Sequence, residues 1–194
     1  MKLFFTLGAL SLFLLAFTVA PVSYSVNPAQ SQVTWTGYKV TGQHTGTVPV
    51  RTGQLQTENG QLVGGTLTID MAALTVTDLS GEMKGKLEGH LKSPDFFGVE
   101  KHPTATLVID KVSSRGKPGD VRVNGRLTIK EITQPVRFNA VVTERGDQLV
   151  AKAELTIDRS DYNVRYGSGS FFDNLGDNTI YDEFDLAVEL VAAK

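Results

Sequence analysis

Three features of this sequence predict an all-β protein, an eight-stranded antiparallel barrel with one short helical excursion. Apolar and polar residues alternate with period two over most of the chain, turn signals separate the alternating runs, and a single stretch carries a helical stripe instead. The 194 residues hold 41% hydrophobic and 21% charged side chains, which suits one globular domain. A formal charge of -2 supplies no broad cationic field, so nucleic acid is not an expected partner. With no cysteine, disulfides, thiolate metal sites and Cys nucleophiles are excluded.

Lys2 precedes the uncharged run Leu3 to Phe17, followed by small and polar residues through Ser25. A basic start, a short apolar core and a small-residue exit are the parts of a secretory signal peptide, and the core is too short to cross a layer roughly 30 Å thick. Ala20 is followed by Pro21, whose fixed φ and missing N–H disfavour cleavage there. The expected cut lies near Ser23 to Ser25, dividing residues 1–25, the signal peptide, from a domain over 26–194.

Strands are expected near 31–40, 45–56, 61–70 and 104–112. The clearest follows, with Val121, Val123, Gly125, Leu127 and Ile129 on one face and Arg122, Asn124, Arg126, Thr128 and Lys130 on the other. Further strands are read near 135–144, at 149–158 and at 183–190. Turn signals stand at Asn59-Gly60, at Lys117-Pro118-Gly119-Asp120 and at Gly146-Asp147. Between 78 and 92, Leu79, Met83, Leu87 and Leu91 recur every fourth residue behind a cap at Thr77 or Asp78, predicting a short helix. Gly81, Gly85 and Gly89 each cost that helix about 1 kcal/mol relative to Ala, so it needs packing to persist.

Strand parity turns Trp35, Leu67, Ile69, Leu107, Ile109, Leu127, Phe138, Ala151, Ala153, Leu155, Phe184 and Leu186 inward. Small residues at inward positions, Gly37, Ala105, Gly125, Ala140, Ala151 and Ala153, leave room for a cavity unless large neighbours fill it. An uncharged lining favours a long apolar molecule, at about 0.8 kcal/mol for each buried CH₂.

The stretches HLKSPDFFGVEKHPTATLVID (90–110), VNGRLTIKEITQPVRF (123–138) and LTIDRSDYNVRYGSGSFFDNLGDNTIYDEFDLAVEL (155–190) resemble the YceI-like family of polyisoprenoid-binding periplasmic proteins, as does SQVTWTGYKVTGQHTG (31–46). That resemblance implies an extended, lipocalin-like barrel that holds an isoprenoid or other long-chain lipid without a further cofactor. It also implies export to the periplasm. It carries no catalytic residue onto this chain.

His44, His90 and His102 show no metal-ligand spacing, and no metal is expected. His44, beside a barrel mouth, is a head-group candidate. Asp173, Asn174, Asp177 and Asn178 lack the spacing of a calcium loop and read as turn formers. Arg159 has two readings, pairing with Asp161 or Asp182 or receiving an anionic head group, and the second is open to Arg165 as well. The pairs Phe96-Phe97 and Phe171-Phe172 are read as end plugs or a lipid gate. The leading expectation is a non-enzymatic lipid-binding barrel with transient membrane contact, as monomer or homodimer. The alternatives are a filled-core envelope module without a ligand, and a lipid-modifying enzyme that would need an inward titratable pair.

Overall fold

The computed structural model describes residues 20–194, so the apolar run read as a signal peptide lies outside the described residues. Among the described residues there are eleven strand segments: β1 Val22–Val26, β2 Gln32–Lys39, β3 Gly42–Val48, β4 Val50–Glu58, β5 Gln61–Asp70, β6 Thr75–Val76, β7 Thr104–Ser114, β8 Asp120–Ile129, β9 Ile132–Arg145, β10 Gln148–Asp158 and β11 Ile180–Ala193. The α-helix α1 spans Gly81–Lys92.

Ten of these segments make eight walls. β1 and β2 both lie along β11 and are separated by a 3-10 turn at Pro28–Gln30, with Asn27 Oδ1 accepting from the Ala29 N–H at 3.0 Å. β3 and β4 form the next wall, broken at Pro49, which has no N–H for a ladder. β5, β7, β8, β9, β10 and β11 follow in antiparallel order, and the pairing of β1 with both β4 and β11 closes the ring. Closure leaves no free sheet edge around most of the circumference. The expected strand over 45–56 is therefore two segments, and β6 is a short appendage on β3.

β1 begins at Val22, so a cut at Ser23 to Ser25 would fall inside a paired strand. Tyr24 on that strand is 1% exposed and donates to Glu144 Oε1 at 2.8 Å. The period-two pattern of five residues was too short to register as a strand. β7 alternates poorly in sequence because a bulge between Ile109 and Lys111 shifts its parity.

The two barrel ends differ. At one, Asn59 and Gly60 turn with φ of 51° and 74°, the primed hairpin geometry that Asn-Gly favours. That end is filled by Tyr24, Leu55, Leu62, Val123 and Leu149, all buried. At the other, the β8–β9 turn places Lys130 and Glu131 in the left-handed region without a glycine, at φ of 49° and 66°. Lys130 Nζ donates to the carbonyls of Phe96 at 2.9 Å and Asn163 at 3.3 Å, tying together the two loops that cover this end.

The helix starts at Gly81 behind Ser80, rather than at 78 behind Thr77 or Asp78, and Ser80 makes no side-chain cap bond. Asp78 instead faces His44, Nδ1 to Oδ2 at 2.8 Å. Leu91 is buried and Leu79 and Leu87 pack half-buried against the core, whereas Met83 is 61% exposed. Polar bonds also hold α1: the Thr75 hydroxyl and the Val76 N–H both donate to Glu88 Oε1. Those bonds hold the Glu88 carboxyl below its ordinary range.

On the outer face, Asp185 of β11 accepts from Thr156 of β10 at 2.6 Å and Tyr38 of β2 at 2.7 Å. Both bonds lower the Asp185 carboxyl below the usual carboxylate range, against a smaller burial effect. A carboxylate lowered on folding contributes stability above its unfolded pKa, and that contribution is lost as pH falls through the folded value. The Tm advantage of the native protein over Asp185→Asn is therefore expected to shrink as pH drops below about 4. A thermal melt series across that range checks it, and a pH-independent difference would show that the ion contributes nothing.

Candidate functional site

The barrel encloses two apolar voids, of about 120 Å³ toward the helix end and about 100 Å³ toward the turn end. Val33, Ile69, Leu127 and Leu186 line both, so the voids are two lobes along one axis. The walls follow from strand parity. Inward side chains such as Leu107, Ile109, Phe138, Leu155, Phe184 and Leu186 are only half-buried and border this space. Interiors normally pack to crystal density, so unfilled apolar volume on this scale stands out. A cavity of about 150 Å³ with such walls stays dry and takes up apolar ligands.

All twelve residues expected to face inward line this space. Trp35, Ile69, Leu127, Phe184 and Leu186 border the helix-end lobe, and Leu67, Ile69, Leu107, Ile109, Leu127, Phe138, Ala151, Ala153, Leu155 and Leu186 the turn-end lobe. Phe96 and Phe97 close the helix-end lobe from above, Phe96 buried and stacked edge-on with Phe97 at 5.0 Å. Gly37 contributes room there, since a Cβ at that position would meet nothing within 4 Å. Gly125 does not. A Cβ there would collide with the Val108 carbonyl, so this glycine permits close strand approach beside the β7 bulge.

Trp35 lies over Gly46, where a Cβ would strike its ring and the Thr75 carbonyl. It is 9% exposed, and its indole N–H has no partner. Gly46→Ala is expected to displace the ring and destabilise the fold by roughly 1–3 kcal/mol, as overpacking does. The emission of this single tryptophan and a urea titration report both effects.

The head-group candidates are placed differently from the lining. His44 sits on β3 in its pair with Asp78 and does not border either lobe. Arg165 donates to Asn163 Oδ1 and stacks on Phe171 at 4.7 Å, also away from the lobes. Phe171 and Phe172 are exposed on the loop and plug nothing. Arg159 does reach the helix-end lobe, but it is 2% exposed and its fork is occupied. Nε donates to the Tyr181 carbonyl at 3.1 Å, Nη1 to Val164 at 2.8 Å and Nη2 to Ile180 at 2.9 Å, while Asp182 Oδ1 lies 3.2 Å from Nη2. Burial pulls its pKa down, and Asp182 and Asp158 oppose that. It is a clamp that joins the Val164 carbonyl of the loop to the Ile180 and Tyr181 carbonyls at the start of β11, under the Phe96 ring 5.3 Å away.

No acid and base converge in the cavity among the described residues. Tyr38 is bound to Asp185 outside, Tyr181 is half-exposed, and Lys152 is paired with Glu189 at 2.9 Å on the outer face. The buried Tyr162 phenol is pushed up to about 12, so it is no base near neutrality. His90 packs against Tyr166 and Phe96, His102 lies 3.8 Å from Glu131, and no group of metal-ligating side chains occurs among the described residues.

Sequence reasoning missed Met71, Leu74 and Leu91, which also line the helix-end lobe. They sit on a 3-10 turn, its exit and the helix, where period two says nothing. Val33, by contrast, was within reach of the parity that placed Trp35.

Comparison with known proteins places this architecture. A family model described as the YceI-like domain matches residues 24–192. A UPF0312 protein of Pectobacterium carotovorum is 35% identical over 81 residues, 39% of this chain and 41% of that protein, so the match spans about two-fifths of that relative's length. A UPF0312 protein of Pseudomonas putida is 28% identical over 145 residues, 67% of this chain and 70% of that protein. Among solved structures, BcnA of Burkholderia cenocepacia superposes with a TM-score of 0.70 at 25% identity, covering 87% of this chain and 99% of that one. A polyisoprenoid-binding domain from Saccharophagus degradans gives 0.64 at 15% identity, covering 88% and 97%. With its closed antiparallel barrel and a family match over nearly all of the described residues, the chain belongs to the YceI-like family.

Proposed function

We propose that this protein is an exported, non-enzymatic lipid-binding barrel that carries, stores or sequesters one long apolar chain, a polyisoprenoid or a long acyl chain. The observation that carries the reading is the apolar, two-lobed void along the barrel axis, walled by the inward side chains of the strands. Burial of successive CH₂ groups, at about 0.8 kcal/mol each, supplies the affinity. The polyisoprenoid-binding description of the Saccharophagus degradans domain supports the same ligand class. With Arg159 bonded to carbonyls and Lys152 paired with Glu189, no charged side chain among the described residues is left unpaired at the void to demand an anionic head.

Export rests on Lys2 and the apolar run behind it, and periplasmic residence follows from that reading. Because Tyr24 is built into the barrel, the cut belongs on the N-terminal side of Val22. N-terminal sequencing of the protein from a periplasmic fraction checks this. A mature start at Val26 would refute it.

Native mass spectrometry of protein purified without detergent, followed by organic extraction, tests the ligand. A stoichiometric adduct that extracts as an isoprenoid or long acyl chain is expected. Apo protein that shows no change in Trp35 emission when titrated with geranylgeraniol or palmitate would sink the proposal and favour a module with no stoichiometric ligand.

A further inference from the structure

The β9–β10 ladder is incomplete. It runs from Arg145↔Gln148 to Asn139↔Glu154 and stops there, although β9 continues back to Ile132 and β10 on to Asp158. Over that stretch each strand keeps its other neighbour, β9 with β8 and β10 with β11. The barrel wall is therefore split along one seam, between 135–138 on one lip and 155–158 on the other. Pro135, which has no N–H to offer a ladder, stands on the first lip, in register with Arg126 of β8. Beyond the split, the Gln134 side chain donates to the Asp161 carbonyl at 3.0 Å and pins the two sides together.

Outside the seam lies an open cleft of about 710 Å³, edged by both lips. Val136, Phe138, Leu155 and Leu186 line this cleft and the turn-end lobe alike, so one layer of side chains separates solvent from the cavity.

We infer that this seam is the lateral portal through which the apolar chain enters and leaves, a route that rests on the lipid-binding reading above. The alternatives require more bonds to break. The turn end is filled by buried Tyr24, Leu55, Val123 and Leu149. The helix end is tied by Lys130 to two loop carbonyls and by Arg159 to three further carbonyls, one on the loop and two at the start of β11. At the seam, opening takes rotamer changes of Val136, Phe138 and Leu155 and no backbone hydrogen bond between β9 and β10. Part-way insertion also keeps the head group in water while the tail fills the lobes.

The chain has no native cysteine, so introduced thiols are unambiguous. Continuing the register from Asn139↔Glu154 brings Arg137 opposite Thr156, both exposed on the outer face. In Arg137→Cys/Thr156→Cys, a disulfide, or a short bifunctional alkylating reagent where the lips stay apart, closes the seam. Preloaded with geranylgeraniol, the protein is mixed with phosphatidylcholine vesicles, and Trp35 emission follows the transfer. Cross-linking is expected to slow transfer by roughly tenfold or more while equilibrium uptake by protein linked after loading is unchanged, and reduction of the disulfide restores the rate. Gln134→Ala, which removes the pin, should speed transfer several-fold. Lys130→Met, which frees the end cap, should leave it unchanged.

Transfer unaffected by the cross-link, or accelerated by Lys130→Met with Gln134→Ala silent, would overturn the portal in favour of an end route. Failure of the unlinked protein to take up geranylgeraniol or palmitate would refute the lipid-binding reading instead.

Discussion

Ala153→Phe is expected to yield a folded barrel that has lost most of its affinity for a long apolar chain. Ala153 of β10 lies opposite Ala140 of β9 and Val188 of β11, and all three border the turn-end lobe. A phenyl group projected from this position occupies the volume that the ligand needs. Displacing about three methylenes removes about 2.4 kcal/mol, roughly fifty-fold in Kd. Ala151→Phe, opposite Val142 and Leu190, should act in the same direction. Fluorescence titration and a urea melt on the same preparations give the two readouts. Should either variant unfold readily while any folded fraction binds normally, these positions belong to a packed core, where overpacking costs roughly 1–3 kcal/mol.

Arg159→Met is expected to have the largest effect on stability. The guanidinium satisfies the carbonyls of Tyr181, Val164 and Ile180 and faces the Asp182 carboxylate in a nearly water-free site. Removing one partner of such a network leaves a buried charge and several acceptors unpaired, at roughly 3–5 kcal/mol. Against a total stability of about 5–15 kcal/mol this is a large fraction. The urea midpoint should fall sharply with the slope preserved. Arg159→Lys should recover little of it, because an ammonium cannot span three carbonyls as a planar fork does. A native midpoint with weakened binding of anionic lipids alone would restore the head-group reading of Arg159.

The contrast between the two residues shows how far sequence reasoning reaches. Ala153 was legible because strand periodicity is geometric: alternate residues share a face, and the face rich in apolar residues turns inward. The same rule placed Trp35, Leu127 and Phe184 around the void. It failed for Gly125, where the inward position serves close backbone approach, and for the helix-end cap, where Met71, Leu74 and Leu91 lie on elements without period two. It also passed over β1, whose five residues matter because β4 and β11 receive them.

By itself, then, the sequence determined the all-β class, the eight walls, the inward faces and the family, because each is written in local alternation, turn chemistry or contiguous motif. Only the tertiary structure decided that Arg159 is a clamp, that His44 pairs with Asp78 away from the lobes, and that β9 and β10 part at Asn139 and Glu154. Each of these depends on which groups meet across tens of residues and on where water is excluded, and no local pattern encodes either.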